Sequence, residues 1–181
     1  MTIPVVIAAF AGVLSVLNLI LLTGVIKRLR DYTELLADRS SPQPALNRGE
    51  AVDDFTSETV DGEPLSPATL TGTTLVGFFT LNCEPCKRKL PKFVEFARNF
   101  PGGRDRVLAT VVGEGEGVAE MVEALRPVAR VAVEERKGPL STAFHVAGYP
   151  IVLLIDRDRT GRWVVTDDAV RLERLSVSAA A

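Results

Sequence analysis

Residues 73–91 read TTLVGFFTLNCEPCKRKLP. The first nine, TTLVGFFTL, form a continuous β-rich run without polar alternation, as expected of a strand covered on both faces. Cys83-Glu84-Pro85-Cys86 follows at once, and a helical pattern continues to about Phe100. In a helix this spacing places two sulfurs one turn apart, where they can close a small disulfide ring with little backbone movement. Cys83 would sit at the helix N-terminus, where free N–H groups and the positive end of the macrodipole favour a thiolate. The thiolate is the nucleophile of disulfide exchange, and a more buried Cys86 can then attack the mixed disulfide and release the partner. Taken alone, the spacing leaves three other readings open. It could be half of a zinc site, although such a site needs about four ligands and only His145 remains to add. It could also be an inert structural disulfide, or two unrelated buried thiols.

On either side, short apolar runs alternate with helix-like stretches. Residues 55–70 look like a hairpin turning at Asp61-Gly62. Strands are expected at 106–112, 129–134, 148–156 and 162–166, and helices at 118–127 and 138–146. Such alternation argues for an α/β sandwich around a central sheet. Two prolines add to the dithiol. Pro91, inside the helix, would kink its axis, and Pro150 stands at the head of an apolar strand, where proline is tolerated. A cis Tyr149-Pro150 bond would let that loop lie against the dithiol and offer backbone groups to an extended peptide.

The chain has 181 residues, room for one domain and an appendage. It carries 21 basic and 23 acidic residues for a net charge of -2, which argues against a nucleic-acid partner. Two cysteines exclude a disulfide-rich scaffold, and a single histidine excludes a His-rich metal centre. The mean hydropathy of +0.18 reflects an apolar block at the start. Met1 to Ile26 has no charged side chain, and Ile3 to Ile26 is 24 residues long, against about 20 needed to cross a bilayer. With no basic n-region, residues 1–26 read as an uncleaved transmembrane anchor rather than a signal peptide. Residues 27–50 read as a juxtamembrane helix and flexible linker with little to bury, 51–172 as the folded domain, and 173–181 as a C-terminal tail. Lys27, Arg28 and Arg30 directly follow the span, so the positive-inside rule places the domain in the cytoplasm.

At these residues the sequence resembles a known family. Cys83-x-x-Cys86-x-x-x-x-Pro91 after a buried strand, with Gly148-x-Pro150-x-x-x-x-Ile155-Asp156 some sixty residues later, looks like the thioredoxin fold. DFTSETVDGEPLSPATLTGTTLVGFF (54–79) and FHVAGYPIVLLIDRDRTGRWV (144–164) are similar to the redoxin branch, the TlpA-like membrane-anchored thiol-disulfide oxidoreductases. The anchor followed by a short helix is also similar to methylamine dehydrogenase accessory (MauD-like) proteins. The resemblance covers about residues 51–170. It implies a thioredoxin-like α/β fold, a central mixed sheet flanked by helices, carried on an N-terminal transmembrane helix. It implies Cys83 as the attacking and Cys86 as the resolving cysteine, Tyr149 and Pro150 as the substrate-binding loop, and Glu84, Pro85 and Pro91 as supporting residues. Three positions depart from the family: Asn82 where tryptophan is usual, Lys89 where glutamate is frequent, and Tyr149 where threonine is common.

The activity implied is disulfide exchange with extracytoplasmic proteins, without a cofactor or metal and with an upstream membrane electron donor. Glu84 opposes a thiolate by like-charge repulsion and Lys87, Arg88 and Lys89 favour it, but the Glu-Pro dipeptide lacks the histidine of strong oxidants, so a reductant in protein or cytochrome and redox-enzyme maturation is expected. Two alternatives are carried forward. One is a copper chaperone using Cys83, Cys86 and His145. The other is a peroxiredoxin-type peroxidase, for which Thr80 stands three residues before Cys83. The resemblance puts the domain outside the cytoplasm, against the flanking charge, and that placement is the one adopted.

Overall fold

The computed structural model describes residues 45–172 and the isolated Gly12. The anchor expected over 1–26, most of the stretch 27–50 and the tail 173–181 lie outside the described residues. Among the described residues no helix is long and apolar enough to cross a membrane.

The run at 73–81 becomes β3 (Thr74–Thr80), with every residue but the last buried. Its neighbours are β4 (Val107–Val112) and β5 (Arg130–Glu134) on one side, and β6 (Ile151–Arg157) and β7 (Trp163–Asp167) on the other. The sheet order is β5-β4-β3-β6-β7. β3 pairs parallel with β4, and β4 with β5; β3–β6 and β6–β7 are antiparallel. The sheet is mixed, as expected. A small hairpin of β1 (Ser57–Glu58) and β2 (Pro64–Leu65) precedes it.

Period-2 alternation sends each strand's side chains to two separate apolar layers. Leu75 and Phe79 of β3 join Phe93, Phe96 and Ala97 of α1 (Glu84–Arg98) and Met121 and Leu125 of α2 (Val118–Leu125). Gly77 faces that layer too. A Cβ there would lie 2.8 Å from the Phe93 ring, so the missing side chain lets α1 approach the strand. Val76 and Phe78 point the other way, into a layer with Leu140 and Phe144 around α3 (Pro139–Ala143) and with Phe55, Leu65 and Leu70 from the N-terminal region.

The linker reading needs correction at its end. Residues 45–50 belong to the fold, and Ala51 pairs antiparallel with Val164 of β7. Ala45 and Leu46 are buried in the α3-side layer. The Leu46 N–H donates to the Phe144 carbonyl at 3.1 Å, Gly49 N–H to Val165 at 2.7 Å and Val52 N–H to Trp163 at 2.9 Å. The edge of β7 otherwise offers unpaired backbone groups, and residues 49–52 cover it. At the opposite edge, the β1–β2 hairpin donates from Val60 N–H to the Val131 carbonyl of β5 at 2.8 Å. Arg130, buried at the start of β5, holds this hairpin through Glu63 at 3.3 Å and the Pro64 carbonyl at 3.0 Å.

The helix expected over 138–146 stops at Ala143. His145 adopts φ +52, its N–H donates to the Thr142 carbonyl at 3.1 Å, and Val146 N–H donates to Ser141 at 2.8 Å. That pair of bonds is a Schellman closure with His145 at the left-handed position. His145 is therefore a helix terminator and not a helical residue. It turns the chain toward Tyr149-Pro150.

Candidate dithiol site

β3 ends at Thr80, and Leu81 and Asn82 lead into α1. Asn82 takes φ +56, a left-handed conformation that asparagine tolerates better than most residues. This sharp turn makes Cys83 the N-cap of α1, with extended backbone. The Cys86 N–H donates to Cys83 Sγ at 3.2 Å, as N-cap side chains do for a free amide of the first turn. Pro85 lies within that first turn, where its missing N–H costs nothing.

The two cysteines form a disulfide with their Cα atoms 5.1 Å apart. Their environments differ. Cys83 is half-buried, whereas Cys86 is fully buried in the α1-side layer. The outer sulfur is thus the one open to a partner. Glu84 beside it is 3.9 Å from Lys87, both largely exposed, so solvent and salt screen their influence on the sulfur.

Pro91 lies inside α1 and is exposed. It has no N–H to give the Lys87 carbonyl one turn back, which leaves that carbonyl without its helical partner. Tyr149-Pro150 is a cis peptide bond. It reaches the dithiol because β6 runs antiparallel to β3, with Phe78 opposite Ile151. The head of β6 and the tail of β3 therefore share one end of the sheet. The Tyr149 carbonyl oxygen lies 3.7 Å from Cys83 Sγ, and the Tyr149 side chain packs against both apolar layers.

The structure thus gathers Cys83, Cys86, Glu84, Pro85, Tyr149 and Pro150 at one end of the sheet. The residues named by the alternatives are engaged elsewhere. Thr80 Oγ1 donates to the Val112 carbonyl at 2.7 Å. His145 Nε2 lies 2.9 Å from Asp53 Oδ2. Among the described residues, no group of three His, Cys, Asp or Glu side chains could hold a metal. One neighbour escaped the sequence reading. The loop after β4 contains Gly113, Gly115 and Gly117, all at positive φ, and a Cβ on Gly117 would lie 3.5 Å from Leu81 Cδ2. Its signal was available: three alternating glycines close a strand parallel to β3, which places them at the dithiol end.

No family model matches the chain. Over 105 residues it is 26% identical to sporulation thiol-disulfide oxidoreductase A of Bacillus subtilis (strain 168), a match covering 56% of this chain and 64% of that relative. The chain therefore spans just under two thirds of the length of the curated relative it matches. Its fold resembles the solution structure of a thiol:disulfide interchange protein from Bacteroides sp. (TM-score 0.53, 15% identity, 70% of this chain and 83% of that one). It also resembles the thioredoxin domain of a thiol-disulfide oxidoreductase from Bacteroides vulgatus (TM-score 0.50, 16% identity, 66% and 87%). The fold is thioredoxin-like, as the motifs implied, and the resemblance to thiol-disulfide oxidoreductases read from Cys83 to Asp156 holds.

Proposed function

We propose that this chain is a membrane-anchored thiol-disulfide oxidoreductase that reduces disulfides of exported proteins, in the maturation of a secreted protein, a cytochrome or another redox enzyme. The observation that carries this reading is the asymmetry of the pair: Cys83 is half-exposed at a helix N-cap and faces the Tyr149 carbonyl, while Cys86 is sealed beneath it. Cys83, as thiolate, attacks one sulfur of a substrate disulfide and expels the other as a thiolate, which takes a proton from water. Cys86 then attacks Cys83, the Cys83–substrate bond breaks, and the second substrate thiol leaves. The substrate gains two electrons and the protein regains its disulfide, which a membrane donor must reduce for another cycle. No cofactor is required, because the sulfur pair carries the electrons.

Tyr149 and Pro150 form the wall on which an extended substrate lies, and Glu84, Pro85 and Pro91 shape the helix that presents the sulfurs. One local field supports a reductant: the Tyr149 carbonyl directs its negative end at Cys83 Sγ, which disfavours the thiolate that a strong oxidant stabilises. Residues 1–26 supply the anchor in this reading and keep the dithiol near its membrane donor, outside the cytoplasm, although Lys27, Arg28 and Arg30 favour the opposite orientation.

Trapping tests the proposal. A full-length Cys86→Ser chain should accumulate mixed disulfides through Cys83, with the partner named by mass spectrometry. The reduced wild-type chain should cleave insulin disulfides. No captured partner together with intact insulin rejects the activity. An impermeant maleimide tests the side: Cys83 labelled only after lysis places the domain inside.

A further inference from the structure

Cys86 poses a problem for ring closure. Its side chain is 0% exposed, in a layer built from Leu75, Phe79, Phe93 and Val111. Burial in apolar surroundings favours the neutral thiol, yet only a thiolate can attack the mixed disulfide. A nearby positive charge would offset that penalty, and α1 places one on the appropriate arc. At about 100° per residue, Phe93, Phe96, Ala97 and Leu90 cluster around the direction of Cys86, and Lys89 falls between Phe93 and Phe96. Lys87, Arg88, Lys92, Glu95 and Arg98 fall outside this arc and are exposed, whereas Lys89 is half-buried. Residues three apart on a helix are neighbours, with Cβ atoms roughly 5–6 Å apart. Long helical side chains also lean over the preceding turn, which for Lys89 is the turn bearing Cys86.

Among the described residues, several other ionisable groups stand elsewhere or are exposed. Tyr149 packs on the same layer from the proline loop, and Cys83 is the reaction partner. Glu114 and Glu116 are exposed on the glycine loop. Arg130 and Glu134 alternate with Val131 on β5 and so point to the opposite face. There Glu134 accepts from the Leu140 and Ser141 N–H groups at 3.0 and 2.7 Å, and Arg130 is engaged by the hairpin.

We infer that Lys89 is a positioning residue for ring closure, its ammonium holding Cys86 as the thiolate that attacks Cys83. This rests on the exchange reading above. Cys86 releases its proton to water and attacks Cys83 Sγ. The Cys83–substrate bond breaks as the Cys83–Cys86 bond forms, and the departing thiolate is protonated by water. Lys89 keeps its own proton throughout.

The test uses the reduced full-length chain and dithiobis(nitrobenzoate), an aromatic disulfide that releases a yellow thiolate at each step. Attack by Cys83 releases the first equivalent at a rate set by reagent concentration. Ring closure by Cys86 releases the second at a rate independent of it. Lys89→Met should leave the first phase unchanged and slow the second by about tenfold at neutral pH, the low end of the effect of an opposite charge on a thiol. Its pH profile should move to higher pH and rejoin wild type in alkali. Lys89→Arg should restore the wild-type profile. The inference is overturned by an unchanged second phase, by equal slowing at every pH, by failure of arginine to restore the profile, or by an equal shift in Tyr149→Phe. A wild-type chain that releases no second equivalent instead rejects the exchange reading itself, a result that needs no Lys89 variant.

Discussion

The parallel half of the sheet, β5-β4-β3, and its antiparallel half, β6-β7, are built by different means. β3 and β4 are buried almost end to end and sandwiched between layers on both faces. β7 alternates buried and half-buried residues, and its outer edge is closed by residues 49–52. The parallel half delivers Cys83 from the C-terminal end of β3. The antiparallel half delivers Tyr149-Pro150 from the N-terminal end of β6. The two meet only because the strand direction reverses between β3 and β6. An all-parallel sheet would put the head of that strand at the far end from the dithiol. The difference teaches that the site is a seam between the halves: one half supplies sulfur and a helix N-terminus, the other a wall of backbone.

Three substitutions probe that contrast. The largest effect belongs to the parallel half. Phe93 is fully buried and stacks edge-on against Phe79 with ring centroids 5.1 Å apart. Phe93→Ala should lower stability by roughly 3–5 kcal/mol in urea unfolding, and should loosen the helix that carries both sulfurs. A loss below 1 kcal/mol would mean that α1 does not depend on this layer. Next comes the cover of the antiparallel half. Leu46→Ala should cost about 2 kcal/mol, toward the low end for a buried leucine because its segment ends the layer and can settle inward. A neutral result would restore the linker reading for residues 45–50.

The smallest effect lies in the β6–β7 turn. The Thr160 hydroxyl, with the backbone N–H groups of Arg162 and Thr160 and the Arg162 side chain, lowers the Asp158 carboxyl from its ordinary 3.8 to about 2. Because the folded value lies below the unfolded one, the turn's contribution is complete above about pH 4 and is lost as pH falls through about 2. Thr160→Val should raise the Asp158 midpoint, followed by carboxyl-carbon NMR, without changing exchange activity. An unmoved midpoint would take the hydroxyl out of the account.

Much of this arrangement was legible before any coordinates. The run at 73–81, the dithiol at a helix start and the strands expected at 106–112, 129–134 and 148–156 follow local rules of burial period and capping, and each matches an observed element within a few residues. The reading failed where distant chain segments decide the outcome. ALNRGE looks like linker because its polarity is local information, whereas the burial of Leu46 depends on Phe144 and the bare edge of β7. His145 looked helical because nothing nearby announces a Schellman closure at a histidine. The place of the glycine loop at 113–117 beside Leu81 depends on a contact across thirty-odd residues.

The order of residues alone determined that two sulfurs stand one turn apart at the head of a helix, because capping and helical spacing act over a handful of positions. Only the tertiary structure decided that the Tyr149 carbonyl, 66 residues beyond Cys83, faces the outer sulfur while the inner one is sealed. That outcome rests on the antiparallel pairing of β3 with β6, and such pairing is set by the packing of both apolar layers together.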